Sequence, residues 1–149
     1  MSATTIPSPS VLKAYQVMSH PLFSAAPDNT LQEAAALFLE YNISAAPVLD
    51  GDEKAVGVIT KTDLARHERD AAEKSGVGPA DAEQVRNWMT PTVFSVAENA
   101  GLDQVCREMV KNGIHHLFVR DEGTGRLLGV ISSFDLLKVL ADFLRRSLS

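Results

Sequence analysis

Apolar and polar positions along this chain fall into two periods, and the same succession of periods occurs twice. A short apolar stretch, Leu22-Phe23-Ser24, is followed by Leu31, Ala34, Ala35 and Phe38, a spacing that puts one apolar stripe on a helix. Two runs at strand length follow, 45–49 and 55–60, separated by the turn signal Asp50-Gly51. A second helix is expected to start near Lys61. The succession then repeats. Val93-Phe94-Ser95 is the short stretch, and Leu102, Val105, Cys106, Met109 and Val110 form the helix stripe. The strands are 116–120 and 127–132 around Gly123-Thr124-Gly125, and a helix starts near Ser133. Thr30 and Glu33 have capping-box spacing at the first helix start. Asn42 and Gly113 stand where helices end in a left-handed residue.

The repetition is also one of residue identity. Met18 and Met89, Phe23-Ser24 and Phe94-Ser95, Leu31 and Leu102, Val48 and Val119, and Asp50 and Asp121 are each 71 positions apart. Gly57-Val58-Ile59-Thr60 and Gly129-Val130-Ile131-Ser132, and Asp63-Leu64 and Asp135-Leu136, are 72 apart, so the second turn is one residue longer. Each copy reads β-α-β-β-α, which makes the chain an α/β (α+β) protein of two tandem repeats. A unit so small is marginal alone, and a pseudo-twofold pair sharing a core is the expected arrangement. A short helix is expected before each copy, over 11–19 and 82–90, with Ser10 and Asp81 as N-caps. The expected segments are an N-terminal piece with a short helix over 1–16, the first motif over 17–66, a polar helical linker over 67–87, and the second motif with a C-terminal helix over 88–149. Within the linker, 66–79 reads as a helix tail and then a flexible stretch ending in Gly76, Gly78 and Pro79.

Charge and cysteine content narrow the class. The 149 residues carry a net charge of −5, which argues against a duplex-DNA binder that must displace counterions with a basic face. A single cysteine, Cys106, excludes an intramolecular disulfide. Its place on a helix stripe predicts a packing role. Residues 1–10 lack the basic start and apolar core of a signal peptide, and no apolar run approaches a membrane span, so a cytoplasmic protein is expected. No strand-to-helix elbow with a serine nucleophile appears and there is no Walker or Rossmann glycine loop, so no enzyme activity is expected.

The strings Asn42-Ile43-Ser44-Ala45-Ala46-Pro47-Val48-Leu49-Asp50 and Val56-Gly57-Val58-Ile59-Thr60-Lys61-Thr62-Asp63-Leu64, with their counterparts at 113–121 and 128–136, resemble the cystathionine β-synthase (CBS) domain. The likeness covers about 17–66 and 88–144. It implies a tandem pair, a stand-alone Bateman module, that binds adenosine-type ligands in clefts between its copies and commonly forms a flat homodimer.

Thr60-x-x-Asp63 and Ser132-x-x-Asp135 are the recurring chemistry. In such domains the hydroxyl and the helix start hold phosphate and the aspartate accepts from both ribose hydroxyls. The same spacing is a capping box that needs no ligand, and the two roles are compatible. The resemblance implies a first site made of Thr60, Lys61 and Asp63 with Val93, Phe94, His115 and His116, the apolar pair against the base and the imidazoles toward phosphate. A solvated strand pair is the alternative for the histidines, since neighbours on a strand face opposite sides. A weaker second site would draw Ser132 and Asp135 together with Leu22, Phe23, Ser24, Ser44 and Ala45. It lacks a basic residue at 44–45 and suits a less charged ligand. A metal role has little support, because His20 and His67 lie far from the pair. The helix expected over 134–145 is apolar on nearly all sides, which predicts a dimer contact. The reading is a regulatory sensor of an adenine nucleotide, of the AMP, ADP or ATP kind, needing no cofactor and acting on a partner in trans. The alternatives are a ligand-free protein-interaction module or, less favoured, a binder of S-adenosylmethionine, NAD, nucleic acid or metal.

Overall fold

A computed structural model describes residues 12–148 and divides into two compact units. One unit is Phe23–Val93. The other joins residues 12–22 with 94–148. The segment preceding each copy therefore belongs to the other copy's unit.

In the Phe23–Val93 unit, helix α2 (Leu31–Tyr41) buries Leu31, Ala34 and Phe38 against a two-stranded antiparallel sheet, β1 (Ala45–Leu49) and β2 (Ala55–Thr60). Ala35 sits at the edge of that stripe and is half-buried. Parallel bridging of Ala25 to Val48 and antiparallel bridging of Thr90 to Val58 extend the ladder on both sides. Helix α3 (Lys61–Glu73) follows β2 without a loop. Thr30 and Glu33 form the expected capping box, with bonds of 3.1 and 3.0 Å, and Asn42 ends α2 at φ 52°. An αL residue there needs a short polar side chain or glycine, as read from the sequence.

The second unit repeats this plan. Helix α4 (Leu102–Asn112) ends at Gly113 with φ 62°, and β3 (Ser95–Ala97), β4 (His116–Arg120) and β5 (Leu127–Ser132) form a mixed sheet. Helix α5 (Ser133–Ser147) follows β5 directly. The register of β4 on β5 matches that of β1 on β2, down to an irregularity at Val119/Arg120 that answers the one at Val48/Leu49.

Several expectations need correction. The first strand of each copy lies further along than 22–24 and 93–95: β3 starts at Ser95, and its counterpart is one bridging residue, Ala25. The expected helix over 11–19 is α1 (Ala14–Val17), and the one over 82–90 is a 3-10 turn, Val85–Asn87, flanked by Gln84 rather than capped by Asp81. Val11 and Ser10 lie outside the described residues. The α4 stripe is narrower than expected. Leu102, Val105 and Met109 are buried, while Cys106 is exposed and Val110 is 83% exposed. Cys106 is therefore not a core residue. Partial burial and the nearby Asp103 carboxylate push its thiol above the usual range, which disfavours a reactive thiolate. The stretch after α3 is tied down: His67 Nε2 donates to the Gly78 carbonyl at 2.8 Å, and the Gly78 N–H donates to Glu83 at 2.7 Å.

The lead-in segments explain two of the repeated residues. Met89 and Thr90 lie over Gly57, where a Cβ would come within 2.6 Å of the Met89 sulfur and 2.7 Å of the Thr90 carbonyl. Met18 and Ser19 lie over Gly129 with corresponding distances of 2.7 and 2.7 Å. Each glycine is thus required by close backbone approach, and its partner methionine comes from the stretch before the other copy.

Candidate functional site

Both Thr/Ser-x-x-Asp sequences begin a helix straight off a strand, so their polar groups converge on the first N–H groups, which have no partner within the helix itself. The Thr60 N–H donates to Asp63 Oδ2 at 2.8 Å and its hydroxyl to the same oxygen at 3.0 Å, while the Asp63 N–H donates to Thr60 Oγ1 at 3.2 Å. Ser132 and Asp135 repeat this at 2.9, 3.0 and 3.2 Å. The capping role is real in both copies. Asp63 and Asp135 are 4% and 7% exposed, and each is both hydrogen-bonded and ion-paired, as a buried polar group needs to be.

The pairing involves the other carboxylate oxygen. Arg66 Nη2 lies 3.3 Å from Asp63 Oδ1, and Lys138 Nζ lies 3.3 Å from Asp135 Oδ1. Oδ2 is committed to the cap, and Oδ1 faces a cation whose side chain is 45% exposed at Arg66 and 62% at Lys138. Oδ1 is the oxygen that can exchange its partner for a ligand hydroxyl. Sequence reasoning missed these two cations. The signal was present as Asp-x-x-Arg and Asp-x-x-Lys at the same place in both copies, an i,i+3 spacing that sets the two side chains on one helix face.

The predicted residues sort by unit. Thr60, Lys61 and Asp63 stand with Ser44 and Ala45: the Lys61 N–H donates to the Ser44 carbonyl at 3.0 Å, and Ala45 pairs with Thr60 across the sheet. Ser132 and Asp135 stand with His115 and His116: the Ser133 N–H donates to the His115 carbonyl at 2.9 Å, and His116 pairs with Ser132. Each expected set, drawn from both copies, is thus divided between the two units. Phe94 and Leu22 belong with the histidines, and Val93, Phe23 and Ser24 with Asp63. Phe94 packs its ring on the core and its carbonyl accepts from Phe118 at 3.1 Å. Phe23 stacks on Tyr41 with ring centroids 3.7 Å apart, a platform the sequence reading did not include. Ser24 is exposed, and Val93 and Leu22 are half-buried.

His116 is half-buried, and its imidazole is held below the ordinary value of 6.5, first by desolvation and then by His115, against an opposite pull from Asp135. His115 is exposed. Among the described residues no group of three histidine, cysteine or acidic side chains could hold a metal ion, and no helix is long and apolar enough to cross a membrane.

Duplicated strand-to-helix junctions, each holding a buried aspartate in a capping box, define a tandem α/β module with two carboxylate-centred sites. The chain belongs to the CBS domain family, whose model matches residues 14–70 and 84–142. Among solved structures it is similar to an archaeal protein from Pyrococcus horikoshii, with a TM-score of 0.74 and 28% identity over 87% of this chain and 92% of that one. It is similar also to the CBS domain pair of protein MJ0100 in complex with 5′-methylthioadenosine and S-adenosyl-L-methionine, with a TM-score of 0.75 and 25% identity over 89% and 98%. Among curated relatives, a 17.7 kDa protein of Acidianus ambivalens is 28% identical over 87% of this chain and 74% of its own length. The inosine-5′-monophosphate dehydrogenase of Methanocaldococcus jannaschii is 31% identical over 86% of this chain, but the match spans only 23% of that enzyme.

Proposed function

We propose that this chain is a regulatory module that binds an adenosine-containing ligand, an adenine nucleotide of the AMP, ADP or ATP kind, and modulates a partner in trans. The observation that carries the reading is the pair of buried aspartates whose Oδ2 is fixed by the cap while Oδ1 is ion-paired to a partly exposed cation. Such an oxygen can accept from a ribose diol without dismantling the helix start. The positive end of the helix dipole favours a negatively charged group such as phosphate. Support also comes from the relative whose CBS pair was solved with two adenosine compounds.

Asp63 is the stronger of the two sites in this reading. Its helix opens with Lys61, where α5 opens with Ser133, so a phosphate meets an extra positive charge there. Thr60 and Lys61 stand with Asp63 at this helix start. The site at Ser132 and Asp135 serves a less charged ligand. No cofactor is required. The exposed apolar stripe of α5 is the homodimer contact.

Thermal unfolding against AMP, ADP, ATP, NAD, S-adenosylmethionine and nucleic acid tests this. A ligand at 100 times its Kd adds about 2.7 kcal/mol to folding, a readily measured rise in Tm. The expected result is a rise with an adenine nucleotide that Asp63→Ala abolishes and Asp135→Ala spares. The reverse pattern moves the nucleotide to Asp135. No rise with any adenosine compound leaves the aspartates as helix caps and favours the protein-interaction reading.

A further inference from the structure

We infer that Arg66 relays the state of the Asp63 carboxylate to the inter-repeat segment 78–90, a role that rests on the assignment of Asp63 as a ligand-binding group. One guanidinium nitrogen, Nη2, serves two masters: it lies 3.3 Å from Asp63 Oδ1 and donates to the Trp88 carbonyl at 2.7 Å. The guanidinium also lies 5.7 Å from the centre of the Trp88 ring. Trp88 is the hub of a polar clasp on α3. Its ring meets His67 edge-on at 5.0 Å, and its indole N–H points at Glu83, which holds the Gly78 N–H. His67 in turn holds the Gly78 carbonyl. The stretch that leads out of the unit is thus fastened to the helix that carries Asp63.

The second copy lacks this arrangement although it keeps the aspartate and the cation. Lys138 stands where Arg66 does, pairs with Asp135 Oδ1, and turns to the Phe134 ring at 5.2 Å. Val139 replaces His67. The planar guanidinium lies over the Trp88 ring while its nitrogen holds the carbonyl, whereas the compact ammonium of Lys138 lies over the ring of its own helix's Phe134. The clasp is therefore a property of one repeat, and it reads one carboxylate.

The direction follows from the geometry. The Arg66 side chain is 45% exposed and keeps its place by two anchors. A hydroxyl that takes Oδ1 removes one anchor, and the arginine must then hold the Trp88 carbonyl alone against its own rotamer freedom. Occupancy at Asp63 loosens the segment.

Amide hydrogen exchange on the full chain tests this, read at Gly78, Trp88 and Met89. In ligand-free protein, Arg66→Gln and Asp63→Asn should each speed exchange there by roughly ten-fold, the scale of one charge-assisted contact in a local opening. Arg66→Lys should do the same, because it rebuilds the second copy's arrangement, and Lys138→Gln should leave these amides unchanged. AMP added to the unaltered protein should speed the same amides, and should not speed them further in Arg66→Lys. Exchange that is unmoved in all three ligand-free variants overturns the relay. So does AMP that binds, by titration calorimetry, without altering exchange at 78–90. If AMP does not bind at all, the nucleotide reading fails, and the ligand-free variants still decide whether Arg66 links Asp63 to the segment.

Discussion

His116 is the residue whose chemistry depends most on where the fold puts it. It lies opposite Ser132 on β5, half-buried, with its imidazole below 6.5 because burial penalises the charged form. An unfolded chain protonates this side chain as pH falls through about 6.5, while the folded chain refuses the proton until lower pH. The unfolded state therefore binds more protons in that window, and stability must fall as pH falls through it. Urea unfolding between pH 7.5 and 5.5 should show this decline, and His116→Gln should flatten it. An unchanged slope in the variant would assign the effect to another group. The sequence could name His115 and His116 as candidates but not tell them apart. Alternation along a strand says that they face opposite ways, and only pairing with β5 says which of them is desolvated.

At the scale of elements, local rules went far. The strands Ala45–Leu49, Ala55–Thr60, His116–Arg120 and Leu127–Ser132, and the starts of α3 and α5, follow from alternation, turn residues and cap chemistry, all set within a few residues. The first strands were misplaced because β3 owes its limits to a parallel partner, β4, more than 20 positions away, and Ala25 to β1. The α4 stripe was overdrawn at Cys106 and Val110 because periodicity gives a direction on the helix but not the width of the surface that covers it. The glycines of β2 and β5 offer a prediction at this scale. Gly57→Ala drives a Cβ into a backbone carbonyl as well as a flexible methionine, so it should cost roughly 1–3 kcal/mol in urea unfolding. Adding Met89→Ala should recover only part of the loss, since the Thr90 carbonyl remains in place. Full recovery would show that the sulfur alone sets the limit.

For the whole molecule, α5 carries the prediction. Phe134, Leu137, Leu140, Leu144 and Leu148 are all exposed, from 47% to 86%, whereas Leu136 and Val139 pack on the core of their unit. The equivalent face of α3 has Thr62, Ala65, Glu68 and Ala72, so the apolar stripe is peculiar to one repeat. Apolar surface of this extent on a helix marks an interface. Light scattering after gel filtration should give a dimer, and Leu137→Glu with Leu144→Glu should give a monomer that keeps its helical circular dichroism. A monomeric unaltered chain would remove α5 as a dimer contact.

The duplication, the repeated strand-to-helix order, the caps at Thr30, Thr60 and Ser132 and the two aspartates were determined by the sequence alone, because each depends on neighbours in the chain or on comparison of the chain with itself. Tertiary structure decided what no local rule reaches. It sent the segment before each copy to the other copy's unit, set Met89 over Gly57 and Met18 over Gly129, and gave Arg66 the distant Trp88 carbonyl as a second partner. Periodicity and capping act over about one helical turn, whereas these contacts join residues tens or more than a hundred positions apart, where only packing selects the partner.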